Sequence, residues 1–154
     1  MMIIIHDGDL LTSKADVIAH QCNMQGVMGS GVAKQIKDKY PIVFEKYKQG
    51  VTTGGFQLGD PQFVSVSDSL RIVNMLTQQY YGYDGARYTS YDAFYDCLVE
   101  IKNIMIADNL TSIAFPYKIG CVRGGANWEV ISTMIDEVFS DSNINVEFWR
   151  YDKD

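Results

Sequence analysis

Apolar residues recur along this chain in two rhythms, which together describe an α/β protein. Short β-rich runs occupy residues 3–9 (IIIHDGD), 16–21 (DVIAHQ), 62–67 (QFVSVS), 71–78 (RIVNMLTQ), 112–120 (SIAFPYKIG) and 145–151 (NVEFWRY). They are bounded by Gly, Pro, Asp and Ser, as strands usually are. The first of them reads as a buried strand. Between the runs, apolar residues stand three and four apart, which is helical spacing. Residues 30–50 (SGVAKQIKDKYPIVFEKYKQG) have that spacing, but Pro41 interrupts it, so two short helices are expected. Residues 51–61 (VTTGGFQLGDP) read as loop, and SDSL at 67–70 as a turn joining two strands. A third helix starts at a capping box, residues 89–92, and turns Tyr91, Phe94, Tyr95, Leu98, Ile101 and Met105 to one face. A fourth, WEVISTMIDEVF at 128–139, turns Ile131, Met134, Ile135 and Val138 inward.

Strands that alternate with helices imply a three-layer α/β/α sandwich around a mixed, largely parallel central sheet. No internal repeat, low-complexity tract or linker interrupts the pattern, so residues 1–154 are expected to form one domain.

Composition narrows the function. At 47% hydrophobic and 21% charged residues, the chain has the profile of a globular protein. It contains no run of 18 apolar residues and no signal-peptide pattern, so a cytoplasmic protein without membrane contact is expected. A net charge of −6 disfavours general nucleic-acid binding, which calls for a basic face. Three cysteines without CxxC spacing and two histidines suggest reduced thiols, no zinc site and no cofactor.

Two segments carry candidate chemistry. GVMGSGVAKQI at 26–36 follows the second strand and opens a helix, and CVRGGANW at 121–128 follows the fifth strand and opens another. Glycine lets the main chain approach a ligand closely. Free N–H groups and the positive end of a helix dipole, about half an elementary charge, favour a diphosphate. The two loops are otherwise simple tight turns. Neither is a P-loop, and neither has the GxGxxG order of a dinucleotide fingerprint.

DGDLLTSKADVIAHQCNMQGVMGSGVA at 7–33 and IAFPYKIGCVRGGANW at 113–128 resemble the two signatures of the macro domain family, and the similarity runs from Ile3 to Tyr151. The resemblance implies ADP-ribose as ligand, free or as a derivative, or ADP-ribosylated macromolecules as partners. It matches Asp9 to an adenine-reading carboxylate and Leu10 to a neighbouring main-chain contact. It matches Asn23 to a distal-ribose contact. Gly29, Ser30, Gly31 and Val32 then form one phosphate loop, and Ile119, Gly120, Cys121, Val122, Arg123, Gly124 and Gly125 the other. For Asp9 the competing role is a turn cap, and for Arg123 a solvated side chain. Trp149, Tyr151, Tyr80, Tyr81 and Tyr83 are candidate covers for the adenine or the distal sugar.

The family's glycohydrolase branch uses a lysine after a central strand and an aspartate in the second loop. Here Gln78 and Gly124 stand at those places, and neither supports that chemistry. VIAHQCN at 17–23 is similar to the strand end of the phosphatase branch. That similarity makes His20 a candidate general acid or base, with a buried, structurally satisfied histidine as the alternative. Asn23, together with the ligand's own phosphate, is a candidate for orienting water. Cys121 is a candidate nucleophile without an identifiable base, and Asp84 a weak candidate partner for His20. Three functions stay open: a hydrolase acting on ADP-ribose 1″-phosphate or on ADP-ribosyl groups, a non-catalytic ADP-ribose reader, or a domain for another nucleotide.

Overall fold

The computed structural model describes residues 2–151. The expected domain span of 1–154 therefore includes residues 1 and 152–154, which lie outside the described residues. Six strands form one sheet: β1 (Ile3–Asp7), β2 (Val17–Asn23), β3 (Pro61–Ser65), β4 (Arg71–Gln78), β5 (Ser112–Pro116) and β6 (Asn145–Arg150). Their order across the sheet is β1-β6-β5-β2-β4-β3. β3 and β4 form the antiparallel pair, and every other neighbouring pair is parallel, as the hairpin turn at 67–70 and the helical crossovers demand.

Four helices cover the sheet: α1 (Gly31–Lys39), α2 (Pro41–Thr52), α3 (Tyr91–Ala107) and α4 (Trp128–Phe139). Pro41 is the first residue of α2, where its missing N–H costs nothing, so the expected break between two short helices is observed. The two-residue period of β2 sorts its side chains. Val17 and Ala19 join Val73, Met75, Phe94, Leu98, Ile101, Ile131 and Ile135 beneath α3 and α4. Ile18 and Cys22 join Ile36, Val43, Tyr47, Ile72 and Leu76 beneath α1 and α2. Both faces of the central strands are thus buried, and the polar residues among them, His20 and Asn74, are paired with each other.

Four local expectations are corrected. β1 is an edge strand rather than a buried one: it pairs only with β6, and Ile3, Ile4 and Ile5 remain 40–49% exposed. α2 continues through Gly50 and Val51 to Thr52, into residues expected as loop, because Val51 still packs on the core. The cap of α3 is Ser90 alone, whose Oγ accepts the Ala93 N–H at 3.2 Å; no capping box forms, because Thr89 is drawn into the site described below. On α3, Cys97 and Ala93 are buried whereas Tyr95 faces outward. Among the described residues, no helix is long and apolar enough to cross a membrane.

This topology also fixes where a ligand can sit. β2 leads into helices on one face of the sheet, and its parallel neighbour β5 leads into α4 on the other. Connections that diverge from adjacent strand ends open a crevice between them.

Candidate functional site

A cleft of about 360 Å³ occupies that crevice. Gly29, Ser30, Gly31 and Val32 line one side, and Ile119, Gly120, Val122, Arg123 and Gly124 the other; the ends of β2 and β4 form the floor. The two glycine loops marked in the sequence therefore face each other across one cavity. α3 and α4 have side-chain caps on their first turns, from Ser90 and Asn127. α1 has none: Ser30 stands at its N-cap without a side-chain bond to the first turn. The first N–H groups of α1 are thus left for a partner in the cleft.

Gly31 opens α1 at φ +61°, a conformation that side chains rarely adopt. Behind this loop Tyr47, fully buried on α2, acts as its internal scaffold. Its hydroxyl accepts the N–H groups of Gly26 and Val27, each at 3.1 Å, and lies 2.7 Å from both the main-chain and the side-chain oxygen of Asn23. Asn23 Oδ1 also accepts the Gln25 N–H at 2.9 Å, and its Nδ2 donates to Val27 O at 2.9 Å. The Asn23 oxygen is saturated, and one amide hydrogen is left to point elsewhere.

The second loop is pinned by Thr89. Its Oγ1 receives the Gln21 Nε2–H at 2.9 Å and lies 2.9 Å from Gly120 O, to which it donates. Gly124 O accepts the N–H groups of Tyr88 and Thr89. A Cβ at residue 124 would overlap Thr89 Oγ1 and stand 2.5 Å from Gly120 O. A side chain at position 124 would have to displace Thr89 and the Gly120 carbonyl, so packing disfavours an acid there.

The charged side chains of the lining are Lys118 and Arg123, and among the described residues no carboxylate joins them. In a protein of net charge −6, this is a local cationic site. Lys118 is exposed and holds φ +59°, the left-handed region that favours glycine. Gln78 also lines the cleft, its Nε2 donating to Tyr80 O at 2.7 Å.

His20 reaches the cleft floor but is 1% exposed. Its Nε2 lies 2.6 Å from Asn74 Oδ1. A carboxamide oxygen only accepts, so Nε2 carries the proton. Asn74 Nδ2 in turn donates to Gln62 Oε1 at 3.0 Å, and Gln62 Nε2 donates to Lys46 O at 2.8 Å. This buried chain of side chains ties β2, β4 and β3 to α2. Burial lowers the His20 pKa to about 4, only partly opposed by the Asn74 bond, so the ring is neutral at neutral pH. The placement argues against the expected acid–base role: the imidazole is neutral, enclosed and committed to Asn74. Asp84 is no partner for it. Its carboxylate accepts Ala86 N–H and the Tyr88 hydroxyl, which hold its pKa below the ordinary value, and it is not part of the lining.

Several expected contacts lie outside the lining. Asp9 caps the short turn Leu10–Thr12, accepting Leu11 N–H at 2.9 Å, and Leu10 is buried beneath it. Gly125 packs against Ala86. The Cys121 thiol contacts Ile119 O, and burial pushes its pKa up, away from the thiolate a nucleophile needs. Among the aromatic candidates, Tyr81 and Tyr83 line the cleft, whereas Tyr80, Trp149 and Tyr151 do not. Trp149 instead stacks on His6, ring centroids 4.6 Å apart. Tyr47, Gln21 and Lys118 were not singled out from the sequence, and Thr89 only as a helix cap, because their roles depend on which loop folds beside them.

Comparison with known proteins agrees with this geometry. The Macro domain family model matches residues 19–135. The chain is 29% identical over 143 residues to a DNA ADP-ribosyl glycohydrolase of Mycobacterium tuberculosis, covering 90% of this chain; it spans 39% of the length of that relative. It is 27% identical to the human ADP-ribose glycohydrolase OARD1, over 90% of this chain and 85% of that protein. A solved structure of a protein of unknown function from Bacteroides thetaiotaomicron has a TM-score of 0.87 at 31% identity, covering 97% of this chain and 98% of that one. With most of its length matched, a mixed six-stranded sheet and two glycine loops on adjacent parallel strands, the chain belongs to the macro domain family.

Proposed function

We propose that the cleft binds ADP-ribose and that the protein hydrolyses an ADP-ribose derivative, either the 1″-phosphate or an ADP-ribosyl group carried by a macromolecule. The observation that carries this is the pair of glycine loops facing one cleft whose charged lining is cationic. A diphosphate held there takes its hydrogen bonds from main-chain N–H groups of both loops and of the first turn of α1. Asp9, exposed after β1, stands three strands from β2, or about 14 Å at the usual strand spacing. That separation suits an adenine at Asp9 and Leu10 with the diphosphate between the loops. The remaining Asn23 amide hydrogen suits a hydroxyl of the distal ribose. The names of the mycobacterial and human relatives support hydrolysis at an ADP-ribosyl bond.

The cleft constrains how such a hydrolysis can run. Gln78 offers no amine, residue 124 no acid, and His20 no free nitrogen toward its Asn74 side. Attack by a water held by the ligand's own phosphate, with the Asn23 amide fixing the distal ribose beside it, fits the groups that are present. The three free thiols suit a reducing, cytoplasmic setting. A non-catalytic reader is the second reading, favoured by the same replacements at 78 and 124.

Calorimetric titration with ADP-ribose, followed by incubation with ADP-ribose 1″-phosphate and with ADP-ribosylated DNA and protein, tests both readings. Release of phosphate or ADP-ribose is expected. Binding without product establishes the reader, and absence of binding removes both.

A further inference from the structure

Three loops that are far apart in sequence meet at the mouth of the cleft. Tyr83, on the loop between β4 and α3, places its hydroxyl 3.3 Å from Ser30 Oγ on the first glycine loop. Its ring lies beneath the Arg123 guanidinium of the second glycine loop, 4.9 Å from centroid to carbon. Arg123 Nε in turn stands 3.9 Å from where a Gly31 Cβ would be, so the guanidinium is held over the opening of α1. Tyr83 is 70% exposed, and burial therefore does not explain its placement. Its loop is built to hold it. Tyr88 donates to Asp84 at 2.8 Å, fills the space beside Gly82, and binds Gly124 O through its own N–H at 2.8 Å. That last bond fastens the tyrosine loop to the residue next to Arg123.

We infer that Tyr83 is a positioning residue: through its ring and its bond to Ser30 it holds Arg123 across the cleft, so that the guanidinium adds charge to the diphosphate grip of the two glycine loops. This rests on the diphosphate reading above. An arginine on a mobile loop samples many rotamers, and fixing it before the ligand arrives lowers the cost of binding. A cation over an exposed ring gains about threefold in equilibrium terms, enough to bias the rotamer without locking it.

The test is a double-mutant cycle on ADP-ribose affinity across a salt series. Tyr83 and Arg123 are both exposed, so melting temperatures should stay at the wild-type value. Arg123→Gln is expected to weaken binding about tenfold at low salt and to flatten its salt dependence. Tyr83→Leu should weaken binding about threefold with the same flattening, and should add nothing on the Arg123→Gln background. Tyr83→Phe, which keeps the ring but loses the Ser30 bond, should fall between wild type and Tyr83→Leu in both affinity and salt slope; a Tyr83→Phe slope as flat as that of Tyr83→Leu overturns the role of the ring. Additive losses, or an unchanged salt slope in Tyr83→Leu, overturn the inference. A parallel titration with ADP separates it from the reading it rests on. Wild-type binding of ADP but not ADP-ribose removes that reading, and the same cycle run on ADP then decides the role of Tyr83. Binding of neither ligand overturns both.

Discussion

Acidification from pH 7 to pH 5 should cost this protein stability chiefly through one residue. His20 has its pKa lowered from 6.5 to about 4 by burial. Between those values the unfolded chain binds a proton at this imidazole and the folded chain does not. Stability therefore rises with pH through the window and falls on acidification. The effect is fully developed only below pH 4; from pH 7 to pH 5 the linkage amounts to about 2 kcal/mol. With a urea dependence of about 2 kcal/mol per molar, the unfolding midpoint should drop by about 1 M. The interval stops short of the ordinary carboxylate range, so few other groups contribute. Urea titration followed by tryptophan fluorescence at the two pH values measures this directly. His20→Gln keeps a donor toward Asn74 Oδ1 but cannot be protonated, and its midpoint should move little between the two pH values. If wild type and His20→Gln shift equally, His20 is not a buried neutral residue, and its assignment as structural fails.

Three further outcomes are expected. Tyr47→Phe leaves the Gly26 and Val27 N–H groups and the Asn23 oxygens without their shared hydroxyl; it should lower stability by about 1–3 kcal/mol in chemical denaturation and weaken ADP-ribose binding in calorimetry. Gly124→Asp, which places an acid where the glycohydrolase branch has one, should be destabilised by about 1–3 kcal/mol in thermal melts and gain no hydrolase rate, because its Cβ collides with Thr89 Oγ1 and Gly120 O. Lys118→Gly removes a left-handed side-chain conformation and should stabilise the fold by about 1 kcal/mol, while the loss of a lining cation weakens ADP-ribose binding.

Much of this architecture was legible because local chemistry and global fold agree. Pro41 split the helical run at 30–50, and SDSL announced the β3–β4 turn. The β-rich runs of β2, β4 and β5 marked strands. The glycines at 29, 31, 120 and 124 marked the cleft, since a close-approaching main chain leaves a compositional trace. Burial of β1 was not legible: IIIHD shows β preference, but only the sheet order decides which strand takes the edge. A buried, satisfied His20 was one of the two readings the sequence offered, but its partner was not legible, because Asn74 is 54 residues away on β4. Tyr47 stood unmarked in the helical run at 30–50, and Thr89 looked like half of a capping box. In both cases the hydroxyl's partner comes from another loop, and spacing along one segment carries no trace of it. The stacking of Tyr83 on Arg123 is hidden for the same reason.

The central claim is that main-chain amides of two facing loops hold the diphosphate. Amide-resolved NMR during titration with ADP-ribose addresses it without altering a residue. The largest shifts, saturating together with the calorimetric isotherm, are expected at residues 29–32 and 119–124. Saturable binding with shifts confined to other amides, such as those of the tyrosine loop or the β1 edge, would contradict it.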